Sequence, residues 1–298
     1  KMKIVITGSL GNISKPLTES LVKKGHSVTV ISSKVEKQNA IEAIGAKAAI
    51  GTMENVDFLT QTFQGADIVY LMEPAFHFFD LDADAEARWT AIAQTYLNAV
   101  RRSGVQKVVQ LSSIGAHTDK NNGLLAAPYS VENILNQLPE KVAIKFMRPV
   151  GFYYNMFAFI PTLKSRGAIF SNYGGDDKEP WVSPIDIAAV IAEEMERPFD
   201  GRTVRYIASD EASPNEVAKI LGAAIGKDDV KWVVISDEEF LDGLLKLGMN
   251  PKVAKGLMEM NAGRRGGVLY EDYNRNKPVL SNIKLAAFAK EFAVIYHQ

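Results

Sequence analysis

The chain has no cysteine among its 298 residues. That excludes a disulfide framework, a thiol nucleophile and any thiolate metal site. Net charge is also nearly absent: 34 Lys and Arg stand against 35 Asp and Glu, a formal charge of -1. No basic tail or run of like charge is present, so nucleic-acid binding through a charged surface is not expected. The four histidines, at positions 26, 77, 117 and 297, share no metal-ligand spacing. No carboxylate cluster takes their place, so no metal is expected. No apolar run approaches the roughly 18–20 residues that a membrane span requires. The polar start runs directly into a strand pattern, which reads as a chain with no signal peptide. A cytoplasmic protein without a membrane partner is the expectation.

What the chain does have is a strong opening. Ile4, Val5 and Ile6 are apolar strand formers, followed at once by Thr7-Gly8, then Gly11 and Ser14. A helical pattern continues through Leu17, Leu21 and Val22 to Gly25. Strand, glycine turn and helix in succession are the setting in which such a motif signals a dinucleotide. Gly8 permits the tight turn. Gly11 lets backbone N–H groups approach a pyrophosphate at the helix N-terminus, where the dipole favours an anion. Ser14 is a small substitute where a third glycine is usual. Thr7, Gly8, Leu10, Gly11, Asn12 and Ile13 are the expected cradle.

Strand and helix signals then alternate up to position 149. Strands are predicted at 28–31, 46–50, 66–72, 105–111 and 142–147, and helices at 36–44, 56–63, 82–102 and 132–138. This pattern predicts an α/β chain with a doubly wound parallel Rossmann sheet and ligands beyond the carboxyl ends of its strands. Loops 8–14, 32–34, 71–74, 112–115 and 148–152 would meet there. After Arg148-Pro149, glycine and proline become frequent and strands short. Ser213-Pro214-Asn215-Glu216 reads as a capping box that opens a helix. A strand follows at 231–235, then a helix capped by Ser236 or Asp237, and Asp186 is the expected cap of a helix at 187–196. The expected division is a nucleotide domain at 1–150, to which 184–208 returns. Residues 151–183 and 209–298 form a smaller C-terminal α/β lobe for substrate or partner.

Four motifs recur in order: Thr7-Gly8-x-x-Gly11, Leu111-Ser112-Ser113, Arg148-Pro149-x-x-Phe152-Tyr153-x-Asn155, and Val182-Ser183-Pro184-Ile185-Asp186-Ile187-Ala188. Together they resemble the NmrA-like group of atypical short-chain dehydrogenases/reductases, over nearly the whole chain. The resemblance implies a Rossmann domain that binds NAD(P), with a small C-terminal substrate lobe. It does not imply one reaction, because the group is similar to quinone and imine reductases, sugar epimerases and non-catalytic redox sensors alike.

The tip of the second strand bears on the cofactor. An NAD binder places Asp or Glu there for the ribose hydroxyls, and that charge would repel a 2′-phosphate. Here the tip reads Ser32-Ser33-Lys34, with Lys37 one turn on. Two hydroxyls and a lysine suit a 2′-phosphate, so NADP is expected over NAD. In related sequences an arginine often follows this strand, and Ser33 departs from that. Leu71, Met72, Glu73 and Pro74 would line the path of the adenosine ribose. Ser112 and Pro149 would lie on the nicotinamide side.

The catalytic side is sparse. A typical short-chain reductase pairs Tyr-x-x-x-Lys with a serine; the lysine tunes a phenol whose ordinary pKa near 10 makes it a poor acid. Tyr129 is followed four positions on by Asn133. An alternative alignment, built on Glu132 as the acid that commonly follows the motif lysine, puts Pro128 and Leu124 at the paired positions. Neither alignment restores the pair. Ser113, Tyr129 and His117 remain as catalytic candidates, and Phe76, Phe152 and Tyr153 as an aromatic wall for a planar acceptor. Reducing a ketone leaves an alkoxide-like oxygen that needs a strong proton donor, whereas a quinone leaves a much less basic phenolate. The leading expectation is therefore an NADPH-dependent reductase of a quinone or similarly activated small acceptor. The alternatives are a catalytically silent NAD(P) sensor acting through a regulatory protein partner, and a nucleotide-sugar epimerase-like enzyme.

Overall fold

The computed structural model describes residues 1–298. The first half runs β1 (Lys3–Ile6), α1 (Ser14–Lys23), β2 (Ser27–Ser32), α2 (Gln38–Ala43), β3 (Lys47–Ile50), α3 (Val56–Phe63), β4 (Ile68–Leu71), α4 (Ala85–Ser103), β5 (Lys107–Leu111), α5 (Ala126–Leu135) and β6 (Ala143–Pro149). Then follow β7 (Gly151–Phe152), α6 (Ile160–Arg166), β8 (Ile169–Ser171), β9 (Glu179–Val182), α7 (Pro184–Glu196), β10 (Arg202–Ile207) and β11 (Asp210–Ala212). The chain closes with α8 (Pro214–Ala224), β12 (Trp232–Val234), α9 (Asp237–Lys246), α10 (Pro251–Arg265), α11 (Glu271–Arg275) and α12 (Leu285–Tyr296).

Seven strands form one sheet in the order β10-β6-β5-β4-β1-β2-β3, and every neighbouring pair is parallel. This is a doubly wound Rossmann sheet whose order reverses between β1 and β4, the place where such sheets open a ligand crevice. Strand alternation feeds two cores. On one face Ile4 and Ile6 of β1 join Leu17 and Leu21 of α1 and Ile187 and Ile191 of α7. On the other, Val5 joins Leu59 and Phe63 of α3, Ile92 and Tyr96 of α4, and Val131 of α5. Covered on both sides, β4 has no exposed residue, as a central parallel strand requires.

Local chemistry explains where the helices start and stop. Asn55 and Asp84 accept from the first-turn N–H groups of α3 and α4, and α4 stops at Gly104, whose φ of 79° is the left-handed cap. The capping box at Ser213 and Glu216 forms as expected, and Ser236 caps α9. One cap is corrected. α7 starts at Pro184, and Ser183, not Asp186, is its N-cap, accepting from the Ile185 N–H at 3.2 Å. Proline suits the first helical position because its missing N–H would be idle there. Asp186 instead lies within the first turn and is buried, accepting from Ser209 Oγ at 2.6 Å and the Ile283 N–H at 2.9 Å.

The C-terminal lobe is smaller. β11 pairs antiparallel with β9, β9 parallel with β7, and β12 parallel with β8. Its core joins Val217 and Leu221 of α8 to Phe288 and Phe292 of α12 and to Trp232 of β12. No helix is long and apolar enough to cross a membrane.

Candidate functional site

The glycine turn after β1 is built as an anion cradle. Gly8 has φ of 91°, a region open to glycine. A Cβ there would meet Ser14 Oγ at 2.6 Å and Met72 Sδ at 2.9 Å. Ser14 Oγ donates to the Thr7 carbonyl at 2.9 Å, so the small third position is bonded into the turn. The Thr7 hydroxyl bridges the switch point, donating to the Tyr70 carbonyl and accepting from the Met72 N–H, both at 3.0 Å. α1 then opens without a side-chain cap, and the N–H groups of Leu10, Asn12 and Ile13 have no acceptor within the protein. Unspent donors at a helix N-terminus are the chemistry that a pyrophosphate needs. The residues present fit a dinucleotide.

Beside the cradle lies a cavity of about 350 Å3 bounded by Gly8, Ser9, Ser33, Thr52, Pro74 and Arg88 among others. Its make-up keeps Ser32 and Ser33 but lacks Lys34. The Ser32 hydroxyl is buried and already bonded, accepting from Ser9 Oγ at 2.8 Å and from the Lys34 N–H at 3.3 Å. It holds the turn together and also lines the cavity. The exposed Lys34 does not line the cavity. Ser33 does, and no carboxylate stands at the tip of β2. Thr52, Glu54 and Arg88 were not anticipated. Arg88 donates to Glu54 Oε1 through Nε at 3.2 Å and Nη2 at 3.1 Å. The Thr52 hydroxyl first, and then the Arg88 guanidinium, hold the Glu54 carboxyl below the usual carboxylate range. Thr52 and Glu54 follow the carboxyl end of β3, to which the same crevice rule applies, whereas nothing local in the sequence marks Arg88, on α4.

The loop after β4 splits its roles. Met72 and Pro74 border the cavity, whereas Leu71 and Glu73 are buried. The Glu73 side chain turns toward β5 and accepts from Gln110 Nε2 at 2.8 Å. Burial pushes its carboxyl up to about 8. Pro149, at the end of β6, has its carbonyl taken by the Ile114 N–H at 2.9 Å.

At the β5 end, Ser112 Oγ donates to Glu132 Oε1 at 2.5 Å. Glu132 is held in turn by Arg148, through Nε at 2.9 Å and Nη2 at 2.7 Å. Arg148 Nη1 reaches Asp272 at 3.1 Å, and the Tyr206 hydroxyl donates to the same carboxylate oxygen at 2.6 Å. A hydroxyl has one hydrogen. Ser112 has spent it, so toward a ligand it can only accept. The Ser113 hydroxyl, half-buried, has no partner in the protein and remains available. Tyr129 sits half-buried in the first turn of α5, and Asn133 below it is exposed. No cation takes the place of the absent lysine four residues on.

Two other candidates fall elsewhere. His117 lines a separate cleft of about 810 Å3 at the β10 edge, with Arg148, Arg205, Tyr206, Asp272 and Lys277. Its ring nitrogens are buried without a partner. Tyr153 is fully buried in the C-terminal core, stacked on Phe288 at 5.0 Å and donating to the Ile283 carbonyl at 2.9 Å. The helical turn after β7 turns it inward, away from any acceptor. Phe152 is half-buried against the core shared by α1 and α7. Phe76 stacks on Trp89 at 4.6 Å, and Trp89 Nε1 donates to the Pro74 carbonyl at 2.8 Å.

This architecture agrees with comparison against known proteins. The NmrA-like family profile matches residues 1–266. The chain belongs to the NmrA-like family. Among curated relatives, the NAD(P)H azoreductase of Xenophilus azovorans is 23% identical over 265 residues, covering 87% of this chain and 86% of that protein. Among solved structures, the NADPH-dependent quinone oxidoreductase of Escherichia coli complexed with NADPH has a TM-score of 0.81 at 22% identity, covering 97% of this chain and 99% of that one. The triphenylmethane reductase of Citrobacter sp. has a TM-score of 0.75 at 18% identity, covering 97% and 99%. A nucleoside-diphosphate-sugar epimerase from Staphylococcus aureus shares the fold at a TM-score of 0.77 and 18% identity, covering 97% and 100%.

Proposed function

We propose that this chain is an NADPH-dependent reductase of a quinone or a similarly activated planar acceptor. The observation that carries the reading is a contrast within one site: the glycine turn offers unspent N–H donors, while the acceptor side has no tuned proton donor. Leu10, Asn12 and Ile13 would hold the pyrophosphate, and Ser33 with Lys34 the 2′-phosphate side of the adenosine. NADPH, when bound, supplies hydride. Ser112, as an acceptor only, suits the N–H side of a nicotinamide carboxamide. Ser113 keeps a hydroxyl hydrogen for the acceptor. A phenolate-like oxygen is stable enough to form before it is protonated, so a serine hydrogen bond and water suffice, whereas a developing alkoxide needs a proton from a tuned acid as the hydride arrives. The names of the relatives fit this chemistry, since azo compounds, quinones and triphenylmethane dyes are all conjugated acceptors.

The test is NADPH oxidation against quinones, azo dyes and simple ketones. Quinones and azo dyes should turn over, and ketones should lag far behind. NADPH binding without oxidation by any acceptor would overturn the reductase reading in favour of a silent sensor, which the same shortage of donors suits. Sugar epimerisation fits least, since it needs a tuned acid–base pair in both half-reactions.

A further inference from the structure

Between the adenosine side and the β5 end of the crevice lies a pair of buried polar side chains that the proposed chemistry does not use. Glu73 follows β4 and is 6% exposed; Gln110 lies in β5 and is 0% exposed. Gln110 Nε2 makes two bonds, to Glu73 Oε2 and to the Leu111 carbonyl, both at 2.8 Å. Both amide hydrogens are thereby committed, and the orientation of the amide is set: a flipped amide would press its oxygen against two acceptors. This leaves two buried oxygens with no donor, Oε1 of Glu73 and Oε1 of Gln110.

One proton satisfies both. As the acid, Glu73 would offer Oε1–H with Gln110 Oε1 as its acceptor, while Oε2 goes on accepting from Nε2. An ionised Glu73 would instead bury a charge held only by Gln110 Nε2 and its own backbone N–H, with both Oε1 atoms left without a donor, an arrangement costing several kcal/mol. The titratable groups around it bring no positive charge. They are the phenols of Tyr70 on β4 and Tyr96 on α4, both neutral and pushed up by burial, and no cation faces the carboxyl.

We infer that Glu73 is carried as the neutral acid and closes an acid–amide pair with Gln110, and that this pair is a positioning device for the cofactor. It ties the loop holding Met72 and Pro74, which border the adenosine cavity, to the strand end that presents Ser112 and Ser113. The acid's upward shift agrees with that state and places its loss on the alkaline side of neutrality. The positioning role rests on the cofactor reading above; the protonated pair itself does not.

Two measurements separate these. Infrared difference spectra of ligand-free protein at pH 7, wild type against E73Q, should show the C=O band of a protonated carboxylic acid that the variant lacks. E73Q preserves the pair's shape, because its amide can donate to Gln110 Oε1 and accept from Nε2, so the variant should fold. Titration with NADPH should then show wild-type affinity falling about tenfold from pH 7 to pH 9, as expected for a required acid that titrates near 8. E73Q should give a flat profile. Absence of the band overturns the inference outright. A band with pH-independent wild-type affinity, or with equal slopes in both proteins, overturns the positioning role. A band with no NADPH binding at any pH refutes the cofactor reading while the neutral pair stands.

Discussion

The two halves of the central sheet end their strands in different chemistry. On the β1–β3 side the crevice is made of backbone and hydroxyls: a glycine turn with unspent N–H groups, Ser9 bonded to Ser32, and one exposed ion pair, Arg88 with Glu54. On the β5–β6–β10 side it is made of buried charge. Glu132 and Arg148 are each 8% exposed at the side chain and bound through two bonds, with Tyr206 and Asp272 completing the cluster. The first half resembles a surface waiting for an anion; the second has satisfied its own charges internally. The expected consequence is that substitutions in the first half change binding with little effect on folding, and substitutions in the second change folding.

The largest effect should come from breaking the buried cluster. Glu132→Ala leaves Arg148 with Asp272 and the Tyr206 hydroxyl alone and removes the acceptor of Ser112. Removing one partner of a buried pair typically costs about 3–5 kcal/mol, so urea unfolding should show a loss of that order. A loss below about 1 kcal/mol would mean that the charges are solvated and the contrast is false.

Next comes Gly11→Val. A Cβ there would lie 3.2 Å from the Gly8 carbonyl oxygen, and the branches would fill the mouth of the cradle. NADPH affinity should fall about a hundredfold or more, near 2.7 kcal/mol, with the unfolding midpoint scarcely moved. Calorimetric titration beside thermal melting checks both halves of that statement. Retained affinity would displace the cofactor from the turn.

A smaller effect is expected from Lys34→Glu. The side chain is exposed, so a charge reversal acts through solvent and is worth about 1 kcal/mol. It should weaken NADPH several-fold while leaving NADH nearly unchanged. Equal effects on the two cofactors would show that the β2 tip does not read the 2′-phosphate.

The smallest effect should be that of Tyr129→Phe. Without a cation at position 133 the phenol is untuned, and any reductase rate should stay within a few-fold of the parent. A tuned general acid is worth roughly 10²–10⁴, so a loss of that size at constant NADPH affinity would make Tyr129 catalytic.

The contrast between the halves also marks what could be read without coordinates. The strand and helix order up to position 149, the glycine turn and the capping box at Ser213 depend on residues a few positions apart and were legible, although α5 lies at 126–135 rather than 132–138 and β10, α10 and α12 were not placed. The expected cap at Asp186 failed because Ser183 with Pro184 is the stronger local signal, which leaves the buried acid for a distant partner. Tyr153 failed as an acceptor contact because whether an aromatic faces a crevice or a core depends on the turn that carries it.

By itself, then, the sequence determined the element order up to position 149, the parallel sheet and the anion-ready turn, because backbone geometry and hydrophobic period are local properties. Only the tertiary structure decided which polar groups are spent. Glu73 meets Gln110 across 37 positions and Arg148 meets Asp272 across 124. These contacts exist because strand order and helix packing bring the groups together in a place too dry to leave them unpaired.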